Sequence, residues 1–205
     1  MKYLIVGLGN IGEGYKDTRH NIGFAVLDAM AMASNISFTD KRYGATCHIK
    51  YKGRELILLK PSTYMNLSGN AVRYWHKKGN IPFEKILVIV DDIALPLGSI
   101  RMKPKGSDGG HNGLAHVSNI LATNEYPRIR IGIGNSFQKG GQSNFVLGSW
   151  NPEEKKFMEK RIAIVIKMIK SFSFAGLDLT MTTFNKEGKV LPPTKESDSE
   201  NSFPK

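Results

Sequence analysis

Short apolar runs alternate along the chain with stretches in which apolar residues recur at helical spacing. Tyr3 to Val6 is a continuous apolar run closed by Gly7, the pattern of a buried strand. A polar, glycine-rich loop follows from Gly9 to Arg19. Phe24 to Met32 carries Phe24, Leu27 and Met30 at helical spacing, and Ser34-Asn35 ends that helix. Thr46–Tyr51 and Glu55–Leu59 read as two strands of a hairpin around Lys52-Gly53-Arg54. Ser68 is placed to cap a helix that carries Val72, Trp75 and His76 and stops at Gly79 and Pro82. Ile86–Val90 is the most hydrophobic run, too short for a helix and bounded by Asp91-Asp92, so it predicts a central strand. Further strands are expected at Ser99–Met102 and Ile129–Ile133. Further helices are expected at Gly113–Leu121 and Pro152–Phe172, the latter with Pro near its start and lysines on its outer face. No internal repeat interrupts this order. Strands alternating with helices predict an α/β fold with a mixed sheet between helices.

The pattern fades at the end. Residues 186–205 hold three Pro, three Ser, eight charges and few apolar side chains, which predicts a disordered polar tail after a folded domain of residues 1–185. A length of 205 residues favours one domain, large enough to need no cross-links. The single cysteine, Cys47, excludes a disulfide scaffold and fits a reducing compartment; it lies in an apolar strand and reads as core. The five histidines are not at ligand spacing around it, which excludes cysteine-rich structural zinc. No run of eighteen apolar residues occurs, and the N-terminal apolar stretch is too short for a signal peptide. These features predict a cytoplasmic protein. Charge sharpens the picture. Lys and Arg exceed Asp and Glu by 29 to 18, a net +11, and the pI is near 9.7. The tail charges cancel, so the excess belongs to the folded body and points to a polyanionic partner, nucleic acid first.

Gly7-Leu8-Gly9-Asn10-Ile11-Gly12 is a literal dinucleotide-binding G-x-G-x-x-G after a strand. That motif requires a helix opening at the second glycine, so that its N-terminus meets the pyrophosphate. A polar stretch, Glu13 to Arg19, follows instead. The acidic residue at the expected interval, Asp28, falls inside a helix. The glycines therefore read as a tight loop at the carboxyl edge of the sheet.

Other polar clusters fall at strand ends or in adjoining loops. They are Gly9-Asn10, Thr18-Arg19-His20-Asn21, Met65-Asn66-Leu67-Ser68-Gly69, Asp91-Asp92 and Gly109-Gly110-His111-Asn112-Gly113. Loops at one edge of a parallel sheet converge, so these clusters can share a cleft that offers a base, an orienting carboxylate and amide donors. Lys103, Lys105, Arg128 and Arg130 flank the His111-Asn112 loop and are candidates for phosphate contacts. No G-x-S-x-G elbow is present, which argues against a serine nucleophile.

Taken in order, Gly-Leu-Gly-Asn (7–10), Thr-Arg-His-Asn (18–21), Met-Asn-Leu-Ser-Gly (65–69), Gly-Gly-His-Asn-Gly-Leu (109–114), Arg-Ile-Arg-Ile-Gly-Ile-Gly (128–134) and Phe-Val-Leu-Gly (145–148) resemble the bacterial-type peptidyl-tRNA hydrolase family from residue 1 to about 185. The resemblance implies a single α/β domain with a twisted mixed sheet, sandwiched by helices, acting as a monomer without metal or other cofactor. It implies cleavage of the ester between a peptide and the terminal ribose of tRNA. By motif, it implies His20 as general base and Asp91 as the carboxylate that holds it. Asn10 matches the residue that separates blocked from free aminoacyl-tRNA, and an Asn side chain offers a donor and an acceptor to a peptide amide. Tyr15, Tyr64, Asn66 and Asn112 match substrate-binding positions. Tyr64 stands where many members have Phe. Ala94 stands where a second acid is frequent, and Asp108 puts an acid in a loop expected near RNA phosphate. The pair Asp91-Asp92 leaves the register open by one residue, and the following Ile-Ala-Leu-Pro favours Asp91. A rival expectation is an RNA-binding protein of the same fold without catalysis, marked by loss of His20 or Asp91; both are present.

Overall fold

A computed structural model describes residues 1–190. It contains one seven-stranded sheet. The strands are β1 (Lys2–Gly7), β2 (Thr39–Lys41), β3 (Gly44–Tyr51), β4 (Arg54–Pro61), β5 (Ile86–Asp92), β6 (Ile100–Lys103) and β7 (Arg128–Gly132). The helices are α1 (Ile22–Met32), α2 (Ser68–Gly79), α3 (Asn112–Leu121), α4 (Gln142–Val146), α5 (Pro152–Ala175) and α6 (Leu177–Glu187).

The sheet order is β2-β3-β4-β1-β5-β7-β6. The inner strands β4, β1, β5 and β7 run parallel, while β2, β3 and β6 join antiparallel, so the sheet is mixed. Parallel strands covered on both sides read as continuous apolar runs, as in Leu-Ile-Val of β1 and Ile-Leu-Val-Ile-Val of β5. The two-residue period then divides each run between two cores. Tyr3, Ile5, Leu56, Leu58, Leu87 and Ile89 face α1 and α5. Leu4, Val6, Ile57, Leu59, Val88 and Val90 face α2 and α3. The β3–β4 hairpin turns at Lys52-Gly53, both at positive φ, as a two-residue turn requires.

Helix α1 lies unusually close to β1. A Cβ on Gly7 would overlap the Gly23 carbonyl, and one on Gly23 would overlap backbone of Leu8 and Ile89. This approach fixes the turn just ahead of α1, which carries His20.

Several expected boundaries shift. Helix α1 starts at Ile22 rather than Phe24, and α5 continues through Ala175 rather than Phe172. Ser68 does not cap α2. Leu67 takes that position, the Ser68 hydroxyl donates to the Met65 carbonyl, and the Gly69 amide donates to His116 of α3. Strand β2 and helices α4 and α6 were not anticipated: β2 is three exposed residues, α4 has five residues, and α6 follows a break at Gly176. The expected boundary at 185/186 falls inside α6. Asn185 pairs with both backbone groups of Met102, and the Gly188 carbonyl accepts from Ile100, so this segment covers the outer edge of β6. The remainder of the expected tail, residues 191–205, lies outside the described residues. Cys47 is buried in β3, and burial pushes its thiol up to about 11. Among the described residues no helix is long and apolar enough to cross a membrane.

Candidate active site

The carboxyl ends of β1, β4 and β5 open on one edge, where a cleft of about 480 Å³ gathers Asn10, Asn66, Asp91 and Asn112 with His20 and His111. This is where open α/β sheets place their ligands.

His20 sits in a single 3-10 turn, Arg19–Asn21, at the foot of α1. Its Nδ1 lies 2.8 and 2.9 Å from the two oxygens of Asp91, the penultimate residue of β5. Asp91 is buried, and its Oδ1 also lies 3.1 Å from Nε2 of His111. The tautomer of His111 follows from its other nitrogen. His111 caps α3, and its Nδ1 accepts the Leu114 amide, so the ring proton is on Nε2 and points at Asp91. The turn that delivers His111 uses Gly109 and Gly110, both at positive φ, which glycine adopts without strain. Burial by itself would raise the Asp91 carboxyl. The two imidazoles, His111 ahead of His20, more than offset that and hold it well below the usual carboxylate range. His20 is 12% exposed, and its Nε2 has no protein partner among the described residues.

His20, Asp91 and His111 also have the composition of a metal-ligand set, with donor atoms within 4.8 Å of one another. Their direct separations of 2.8–3.1 Å are those of N–H···O hydrogen bonds, in which each imidazole directs a proton to the carboxylate.

Asn10 is anchored on three sides. Its amide donates to Asn21 Oδ1, its carbonyl accepts from Asn21 Nδ2, and its own Oδ1 accepts the Met65 amide at 2.8 Å. That last contact assigns the amide orientation and leaves Nδ2 for the cleft. Of the two groups expected to meet a peptide amide, the Nδ2 donor has no protein partner among the described residues, and the Oδ1 acceptor already holds the Met65 amide. Arg19 ties the His20 turn to the opposite wall. It pairs with Glu154 at 2.8 Å, donates to the Ser149 carbonyl, and lies over the Phe145 and Trp150 rings.

The structure brings Asn10, His20, Asn66, Asp91 and Asn112 together. Arg130 also lines the cleft, whereas Tyr15, Tyr64, Lys103, Lys105 and Arg128 are not in its wall. Tyr64 is exposed beyond the end of β4, and Tyr15 is half-buried with its ring over Gly12. Lys103 and Lys105 are exposed, and Lys105 is paired with Glu125. Arg128 is corrected as a phosphate contact. It is fully buried, and its guanidinium donates to the carbonyls of Gly106, Asn124 and Tyr126. Its position on β7 directs it inward, which charge alone does not reveal. We expect Arg128→Ala to lower unfolding free energy by about 2 kcal/mol or more, because the buried Tyr126 carbonyl and the partly buried bonds to Gly106 and Asn124 lose their donor. The salt dependence of polyanion binding should match that of the unaltered protein. A denaturant titration and a salt series check both halves.

Arg130 is engaged too, with Asp92 at 3.0 Å and the Ser107 carbonyl at 2.7 Å. Asp92 also accepts the Ala94 amide, so Asp91 and Asp92 face different ways and the register is decided by geometry. Asp108 accepts from the Gly110 amide and shapes the turn before His111. Sequence reasoning quoted His111, Asn21 and the Met65 amide inside motifs without giving them roles. The signal available for His111 was its place immediately before a helix, an N-cap position.

A buried carboxylate that holds one imidazole toward an open cleft, at the carboxyl edge of an α/β sheet, is an arrangement of the kind hydrolases use for general-base chemistry. The peptidyl-tRNA hydrolase family profile matches residues 4–192. The chain is 62% identical over 187 residues to the peptidyl-tRNA hydrolase of Phocaeicola vulgatus, covering 91% of this chain and all of that protein. It is likewise 62% identical to that of Bacteroides fragilis. The crystal structure of peptidyl-tRNA hydrolase from Acinetobacter baumannii superposes with a TM-score of 0.84 at 34% identity, over 89% of this chain and 94% of that one. The chain belongs to the peptidyl-tRNA hydrolase family.

Proposed function

We propose that this protein hydrolyses the ester between an N-blocked aminoacyl or peptidyl group and the terminal ribose of tRNA, with His20 as general base. The observation that carries this reading is the double contact of His20 Nδ1 with Asp91, which leaves Nε2 to face a bound water. Nε2 takes a proton from the water as its oxygen bonds to the ester carbonyl carbon. Asp91 stabilises the imidazolium that forms. The Nδ2 of Asn10 donates to the amide carbonyl oxygen of the N-blocking group, which only a blocked substrate carries. The carbon–oxygen bond to ribose then breaks, and the imidazolium returns its proton to the ribose oxygen. The products are a free peptide carboxyl and tRNA with an intact 3′ hydroxyl. Asn66 and Asn112, exposed on the cleft rim, are suited to the peptide backbone. A cytoplasmic monomer is the setting that accords with a tRNA substrate and a lone buried cysteine.

The test is discharge of N-acetyl-aminoacyl-tRNA against free aminoacyl-tRNA. Cleavage of the blocked ester in preference to the free one is expected; equal inertness toward both would leave only the RNA-binding reading. Asn10→Asp refines the assay. It keeps an acceptor for the Met65 amide but replaces the cleft-facing donor with a carboxylate oxygen. That oxygen repels a carbonyl and attracts an α-ammonium. The ratio of kcat/KM for blocked over free substrate should fall by about tenfold or more. A uniform loss on both substrates would move discrimination to Asn66 or Asn112.

A further inference from the structure

Outside the cleft, helix α2 presents Arg73, Lys77 and Lys78 to solvent, and Arg42, in the turn between β2 and β3, faces them across a groove of about 350 Å³. No Asp or Glu lines this groove. Among the described residues none of the four cations takes part in an ion pair. This contrasts with Lys105, Arg128 and Arg130 beside the His111 loop, whose charges or donors are already engaged.

The groove is held in shape by aromatic rings. Tyr43 and Tyr74 lie 5.4 Å apart between centroids, and the Arg42 guanidinium lies within 5.5 Å of both. Lys78 lies 4.8 Å from the Trp75 ring, and the Trp75 indole N–H donates to the Arg42 carbonyl, which ties the turn to the helix. Such contacts restrict the cations without cancelling their charge. With the rings occupied by cations, the surface suits phosphates better than stacked bases. Recognition of that kind carries little sequence information.

The groove and the cleft are joined by one short segment of chain. Asn66 lines the cleft and precedes the first residue of α2 by two positions; Asn70, within the first turn, lines the groove. Helix α2 as a whole spans about 18 Å, at 1.5 Å per residue. We propose that this face of α2, with Arg42, holds the sugar-phosphate backbone of the substrate's tRNA, on the duplex arm behind the single-stranded 3′ end. The inference rests on the hydrolase reading for the position of that 3′ end. Charge complementarity selects the occupant: four unneutralised cations meet a partner with a phosphate charge at every nucleotide of both strands, and arginine forks match phosphate oxygens.

The double variant Arg73→Gln/Lys77→Gln tests it, both residues being exposed. A thermal melt confirms that the fold is kept. Two substrates are compared: full-length N-acetyl-aminoacyl-tRNA, and the same ester on a short single-stranded oligonucleotide that ends before the duplex arm. KM for full-length substrate should rise by about tenfold at roughly 0.1 M salt, with kcat unaltered. The slope of log affinity against log salt should lose about two units, one for each lost phosphate contact. The short ester should be cleaved as by the unaltered protein. Unchanged KM and slope on full-length tRNA would overturn the proposal, and would be the result if the groove served an acidic protein. Equal losses on both substrates would also overturn it, by showing that the two cations act through the cleft. If the unaltered protein cleaves neither ester, the hydrolase reading fails instead, and direct binding of uncharged tRNA to both proteins still decides the groove by the same salt slopes.

Discussion

His20→Ala is expected to lower kcat by about 10²- to 10⁴-fold while tRNA affinity stays within a few-fold. His20 is the imidazole with a nitrogen open to the cleft and its other nitrogen held by a buried carboxylate. His111 cannot substitute. Its Nδ1 accepts the Leu114 amide and its Nε2 proton is directed at Asp91, so neither nitrogen is available to a water. The truncation removes no contact to the surfaces suited to phosphate, which is why binding should survive. Single-turnover rates with N-acetyl-aminoacyl-tRNA, alongside a filter-binding isotherm, give both numbers. Near-normal turnover would remove His20 from the chemistry.

Asp91→Asn should cost up to about 10⁴-fold in turnover, and Asp92→Asn far less. The asymmetry arises from the two imidazoles that share Asp91. An Asn there supplies one acceptor and one NH₂ group. His111 must keep its proton on Nε2 while its Nδ1 caps α3, so it claims the acceptor. The NH₂ then stands 2.9 Å from Nδ1 of His20, where Oδ2 had been. Two N–H groups facing one another repel, and relief comes when His20 moves its proton to Nε2, which ends its use as a base. The negative charge that stabilises the imidazolium is lost as well. Asp92→Asn weakens only the pairing with Arg130. The opposite order of effects would assign the orienting role to Asp92. Stability should respond to acid with a definite sign. Because the Asp91 carboxyl is depressed in the folded state, its stabilising contribution is complete above the unfolded value of about 3.9 and fades as pH falls toward the folded value. Asp91→Asn lacks that fade, so the stabilities of the two proteins should converge at low pH.

The inner strands were legible because burial on both faces leaves a continuous apolar run with no competing reading. The edge elements were not. Three exposed residues of β2 carry no period, and α6 adds its few apolar contacts after a break at Gly176. Ser68 shows the limit of local rules: it is a good capping residue, yet the neighbouring helix α3 supplies His116 to the Gly69 amide and the cap is not needed.

Within the site, residue types and motif order determined that His20, Asp91, Asn10, Asn66 and Asn112 belong together, because loops that follow parallel strands meet at one edge. Tertiary structure decided what each atom is left to do. Asn10 turns its acceptor to the Met65 amide, Asp91 serves two imidazoles rather than one, and His111 is locked by the helix it caps. It likewise decided which charges are free: Arg128 is buried and spent on backbone carbonyls, whereas Arg42 and Arg73, far apart in sequence, meet across one groove. Side-chain type and spacing fix which groups are present. Hydrogen bonding and burial depend on neighbours brought in from distant segments, and those alone set which donor, acceptor or charge remains for a substrate.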